Sequence, residues 1–140
     1  MGYRIRPQEQ FTVSKKTAPV KRKDYLSWLH ELPCLCSGPM CEGPIEAAHI
    51  STGNRAWGHL GRAKGRKASD RWAVPMCRGH HAHQHSMGEN AFWNHVWAEP
   101  YATALALYGL YSDLGDEATD IAADLILKQA LKMDGTVVER

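Results

Sequence analysis

The stretch GRKASDRWAVPMCRGHHAHQHS, residues 65–86, passes from a basic segment through a short apolar run into a histidine-rich one. RWAVPM, residues 71–76, predicts a short strand, and Pro75, with no N–H to give to a ladder, limits it to an edge or a strand end. After Cys77 the run His80-His81-Ala82-His83-Gln84-His85 predicts a helix, with Gly79 near its start and Gly88 near its end. His81 and His85 are four apart and so share one helical face, where two imidazoles can meet one ion. His80 and His83 point elsewhere by the same geometry. Cys77 and His80 have the C-x-x-H spacing of zinc ligands, and a closed tetrahedral site needs two more.

Those two lie upstream, in Cys34-Leu35-Cys36-Ser37-Gly38-Pro39-Met40-Cys41. The segment is too rich in turn residues for a helix or a regular strand and reads as a knuckle around an ion. Three cysteines compete for two places. The Cys34-x-Cys36 pair is awkward to close around one ion, which favours Cys34 with Cys41 or Cys36 with Cys41. No apolar run approaches the roughly 18 residues of a membrane span, and MGYRIRPQEQ lacks the apolar core of a signal peptide. A cytoplasmic protein is expected, and there four cysteines beside eight histidines read as metal ligands rather than disulfides.

Outward from the knuckle, Tyr25, Leu26, Trp28, Leu29 and Leu32 recur at helical spacing before Pro33, predicting a helix over 22–32. A strand is expected at 45–50, a long glycine-rich basic loop at 51–69, and helices at 89–99, 101–111 and 117–133. Residues 1–20 read as a basic arm with little structure of its own, 21–111 as the main domain and 112–140 as an acidic helical extension packed on it. The net charge of +2 hides this division. Basic clusters in the arm and the loop flank the metal-ligand region and point to a polyanionic partner, with Arg55, Arg62, Lys64, Arg66, Lys67 and Arg78 as candidate DNA contacts. The acidic C-terminal helices offer a surface for a protein partner or a dimer. Trp28, Trp72, Trp93 and Trp97 fall in periodic segments and read as core, whereas Trp57 sits in the basic loop.

The order of parts resembles the HNH (ββα-metal) endonucleases, in particular the small phage and bacterial branch with a zinc knuckle that includes the recombination-enhancing nuclease type. The matching residues are AAHIS around His49, GRKASDRWAVPMCRGHH from Gly65 to His81, and HQHS ending at Ser86, within a region from Leu32 to Tyr101. The resemblance implies an α+β fold with a ββα-metal core, a zinc knuckle, one preceding helix and about three following helices. It implies a metal-dependent DNA endonuclease or nickase, with His49 as the general base that activates water. Asp70 would take the place of the family's middle Asn, tying down the loop that orients the base, and His81 and His85 would hold the catalytic ion. The cofactors implied are a structural Zn²⁺ and one divalent cation such as Mg²⁺, Mn²⁺, Ni²⁺ or Zn²⁺.

The chain also departs from the pattern at the position before the base. Many members carry Asp or His immediately before the base as a third metal ligand, and here that position is Ala48. Water, substrate phosphate, or a residue folded in from elsewhere such as Glu46 or His59 would have to complete the set. The alternative is a non-catalytic zinc-binding DNA-binding or adaptor module on a degenerate form of the same fold. A redox role for Cys34 and Cys36 lacks both C-x-x-C spacing and a thioredoxin-like βαβ pattern.

Overall fold

The computed structural model describes residues 22–38, 40–61, 68–96 and 98–133, the last four by their backbone alone. The expected arm at 1–20, the loop residues Arg62, Lys64, Arg66 and Lys67, and Trp97 lie outside the described residues. The fold is α+β. Helix α1 (Lys23–Leu29) is followed by strand β1 (Ile45–His49), strand β2 (Ala73–Cys77), and helices α2 (Arg78–Met87), α3 (Glu89–Val96), α4 (Pro100–Leu114) and α5 (Thr119–Met133). Among the described residues no helix is long and apolar enough to cross a membrane.

The two strands pair antiparallel, with Ile45 opposite Cys77, Ala47 opposite Pro75 and His49 opposite Ala73. A two-stranded sheet is marginal by itself and has to be held by what covers it. Here both faces are covered. Ala48, Ile50, Val74 and Met76 pack with Leu35, Phe92, Trp93, Tyr101 and Ala104 on one side. Ala73 packs with Tyr25, Trp28, Leu29, Leu32, Leu107, Ala118, Ala122 and Ile126 on the other. Helix α4 serves both cores, through Ala104 and Leu107, and α5 closes over α1, where Trp28 Nε1 donates to Thr119 Oγ1 at 2.9 Å. All five residues of β2 are therefore buried, which removes the polar–apolar alternation expected of a strand with one wet face.

Pro75 sits in the middle of β2 rather than at its end. Its carbonyl accepts from Leu35 N at 2.8 Å, so its ring nitrogen lies on the edge away from β1 and the ladder loses nothing. The strand also starts later than RWAVPM suggests. Asp70, Arg71 and Trp72 form a 3₁₀ turn, with Trp72 N donating to Ser69 O, and extension begins at Ala73. At α1, His30, Glu31 and Leu32 donate to carbonyls three residues back, so the expected helix over 22–32 ends as a tightened turn after Leu29. Glu99 belongs to α4 and does not end α3: its carboxylate caps α4 by accepting from Tyr101 N and Ala102 N, and Pro100 takes the first helical position.

The long loop after β1 opens with a compact fold. Asn54 bridges to His59 around a 3₁₀ turn at Arg55–Trp57. The backbone of Gly61 passes so close to Gly53 that a Cβ there would lie 2.8 Å from Gly61 N. Trp28, Trp72 and Trp93 are core residues as expected, while Trp57 on the turn is exposed.

A candidate metal centre and a histidine–aspartate pair

Cys34, Cys41, Cys77 and His80 place their ligand atoms within 4.8 Å of one another. The Nδ1 of His80 stands 3.7, 3.8 and 3.1 Å from the sulfurs of Cys34, Cys41 and Cys77. A thiolate and an imidazole sharing one tetrahedral zinc are separated by roughly 3.5 Å, so the distances from His80 suit four ligands around one ion. Three sulfurs and one nitrogen are also the donor set zinc prefers. Of the three knuckle cysteines, Cys36 is the one left out. Its backbone N–H instead points at Cys34 Sγ, 3.4 Å away, and Glu42 N and His80 N do the same for Cys77 Sγ. Such contacts disperse thiolate charge. The cysteines form no disulfide.

The Cys34 thiol is pushed well up by its contact with Cys36 and by burial, and burial pushes Cys41 up to about 12. Burial, with His83 nearby, lowers the pKa of His80 and keeps its imidazole neutral, the form that binds metal. A dication at the centre reverses the balance for the thiols, because the charge that disfavours the thiolates is then neutralised.

At the end of β1, His49 Nε2 donates to Asp70 Oδ1 at 2.8 Å, and both side chains are largely buried. The other carboxylate oxygen of Asp70 accepts from Arg22 N at 2.6 Å. Asp70 was expected to steady the loop that orients His49, but it bonds the imidazole itself. The 3₁₀ turn that delays β2 is what brings it there. Because Nε2 carries the proton toward Asp70, the lone pair is left on Nδ1. The part played by Arg22 has no sequence signal, since it uses only a backbone N–H.

On α2, His81 Nε2 and His85 Nε2 converge to 3.2 Å, with ring centroids 4.9 Å apart. Two nitrogens on one ion stand roughly 3.3 Å apart at tetrahedral angles, so the helix holds the pair at chelating distance. Behind it, His81 Nδ1 donates to Glu46 Oε1 at 2.8 Å, and Arg78 Nε donates to Glu46 Oε2 at 2.9 Å. Arg78, then His81, hold the Glu46 carboxyl below its usual range. Glu46 thus fixes the His81 tautomer and leaves Nε2 for an ion, from behind the ligand rather than beside it.

His59 is excluded as a third ligand. It is buried and stacked on Trp72, its Nε2 donates to Ile50 O at 2.6 Å, and its Nδ1 accepts from Gly61 N at 2.9 Å. Ala48 is wholly buried in the core and offers no ligand. Arg55 is exposed on its 3₁₀ turn, and Arg78 is exposed but spends one nitrogen on Glu46.

A family model described as "Protein of unknown function (DUF968)" matches residues 5–108, and the chain belongs to that family. The matched span holds the Cys/His cluster, the His49–Asp70 pair and the His81–His85 pair, and it stops before α5. No curated protein and no solved structure matches the chain.

Proposed function

We propose that this DUF968 protein is a metal-dependent phosphodiesterase of the HNH type, cutting or nicking DNA with His49 as general base and His81 and His85 holding the catalytic ion. The observation that carries the reading is the pairing of two unlike histidine sites on one β1–β2–α2 succession. One imidazole is oriented by a carboxylate at 2.8 Å, and two others converge at 3.2 Å with a carboxylate behind them.

Glu46 and His49 are three positions apart on β1, so they leave the strand on alternate faces, roughly 10 Å apart along it. A base and an ion acting on opposite sides of one phosphorus have to approach it from different directions, and the end of β1 and the start of α2 offer two such approaches. His49 Nδ1 takes the proton of a water, while Asp70 stabilises the imidazolium that results. His81 and His85 would hold a divalent cation, which would supply charge neutralisation at the scissile phosphate and the leaving oxygen. Arg55 and Arg78 are exposed cations suited to the phosphates on either side. The Cys34–Cys41–Cys77–His80 set would hold a structural zinc that ties the knuckle to the start of α2.

The buried Ala48, where a third ligand would be expected, favours a second reading: a zinc-stabilised DNA-binding module without catalysis. Plasmid DNA incubated with the protein and Mg²⁺, Mn²⁺, Ni²⁺ or Zn²⁺, beside the His49→Ala variant, separates the two. Nicking or linearisation that depends on metal and on His49 is the expected result. Binding without cleavage under every metal would leave the module.

A further inference from the structure

The three residues that follow His49 are held by four separate parts of the chain. Ile50 N donates to Trp72 O at 2.9 Å, and Ile50 O accepts from His59 Nε2. Ser51 N and Thr52 N donate to Glu89 Oε2 and Oε1, at 3.0 and 2.6 Å. Thr52 O accepts from the Tyr101 hydroxyl at 2.8 Å. Loops that leave a strand normally give these groups to water.

Glu89 is the centre of this arrangement. It opens α3, where a carboxylate is favoured by the helix dipole, and each of its oxygens takes one of two successive amides. The buried Gln84, from the last turns of α2, donates its Nε2 to Glu89 Oε2 at 2.9 Å. Its own Oε1 is buried with no hydrogen-bond partner among the described residues. An unpaired buried carbonyl is costly, so the amide orientation is dictated by the Glu89 charge. One side chain thereby joins the helix bearing His81 and His85, the start of α3, and the backbone two and three residues beyond His49.

We propose that Glu89 is a positioning residue for His49: by clamping Ser51 and Thr52 it sets where β1 ends and so holds the imidazole against Asp70. The proposal rests on the reading of His49 as the base. A misplacement on the order of 1 Å at a reacting group costs roughly 10²-fold, which sets the scale of the effect.

The test compares wild type with Glu89→Ala, Glu89→Gln and Gln84→Ala for zinc content, DNA cleavage and NMR signals. In Glu89→Ala the expected result is kcat lowered by about 10- to 100-fold with KM for DNA unchanged and the structural zinc retained. Glu89→Gln keeps one acceptor oxygen and should recover part of that loss. The Ser51 and Thr52 amide protons should lose their downfield position in Glu89→Ala, and the His49 Nε2–H signal should broaden. If Glu89→Ala does not fold, Glu89→Gln and Gln84→Ala carry the comparison. Wild-type kcat together with an unchanged His49 Nε2–H signal in the folded variants overturns the proposal. If wild type cleaves no DNA with any metal, the reading of His49 as a base falls. The NMR comparison then decides by itself whether Glu89 orders the imidazole.

Discussion

The three histidines proposed for chemistry divide between two jobs, base and metal ligand, and removing one of each kind should leave different defects. His49→Ala removes the proton acceptor and no metal ligand, so metal and DNA should still bind while cleavage falls by about 10²- to 10⁴-fold. His85→Ala removes one of the two converging nitrogens, and neither Ala48 nor His59 can replace it. Cleavage should then fall with metal affinity and recover in part at higher metal concentration, which a metal titration of initial rates would read. A His49→Ala protein that lost the catalytic ion while His85→Ala kept it would reverse the two roles. Glu46 should behave as a weaker His85: Glu46→Ala frees the His81 ring to turn and is expected to weaken catalytic-metal affinity by about 10- to 100-fold. Unchanged affinity by calorimetry would show that the 2.8 Å contact with His81 does not matter to the ion.

At the scale of elements, the Cys34–Cys41–Cys77–His80 cluster joins the knuckle, the end of β2 and the first turn of α2. Cys77→Ser should lose the zinc and much of the folded protein, whereas Cys36→Ser should keep both, because Cys36 stands outside the four-ligand set. Metal analysis of the two purified variants checks this, and equal zinc in both would mean that the ligand set is wrong. The helices and strands themselves were readable where packing is one-sided. The spacing of Tyr25, Trp28 and Leu29 marks α1, and the histidine run between Gly79 and Gly88 marks α2. Reading failed where a residue's role depends on a partner far along the chain. Asp70 meets His49 across 21 positions, Glu46 meets His81 across 35, and Glu89 meets Ser51 across 38. No local period records such contacts, and Glu89 carries no sequence signal beyond its place at the start of the helix expected at 89–99. Glu99 was misread for a related reason, since an acidic residue before a proline can end one helix or cap the next.

Across the whole molecule, the sheet is held between two cores, and one of them includes Cys34 and Cys77. Stability should therefore follow the metal, and the metal should follow pH. His80 is the clearest case: burial sets its folded pKa below the ordinary value of 6.5. The unfolded chain thus takes up the proton more readily, so the contribution of the neutral ring is present above about pH 6.5 and is lost as pH falls below it. Protons then also compete for the thiolates. Zinc is expected to stay bound at neutral pH and to leave between about pH 6 and pH 4, with the melting temperature falling in parallel. A chromophoric chelator and a thermal melt across that range would follow both. Zinc retained at pH 4 would rule out a thiolate site.

Cys77 has a second employment. Its sulfur accepts the His80 N–H and so caps the very helix that carries His81 and His85. A zinc ion on that sulfur would stiffen the first turn of α2, and an ion on His81 and His85 would then be bound by a helix already ordered. The two proposed sites would thereby share one free energy of helix ordering, and thermodynamic reciprocity would make each ion favour the other by the same factor. The protein would fill with metal cooperatively, and zinc scarcity would disarm the proposed catalytic centre without touching any of its own ligands.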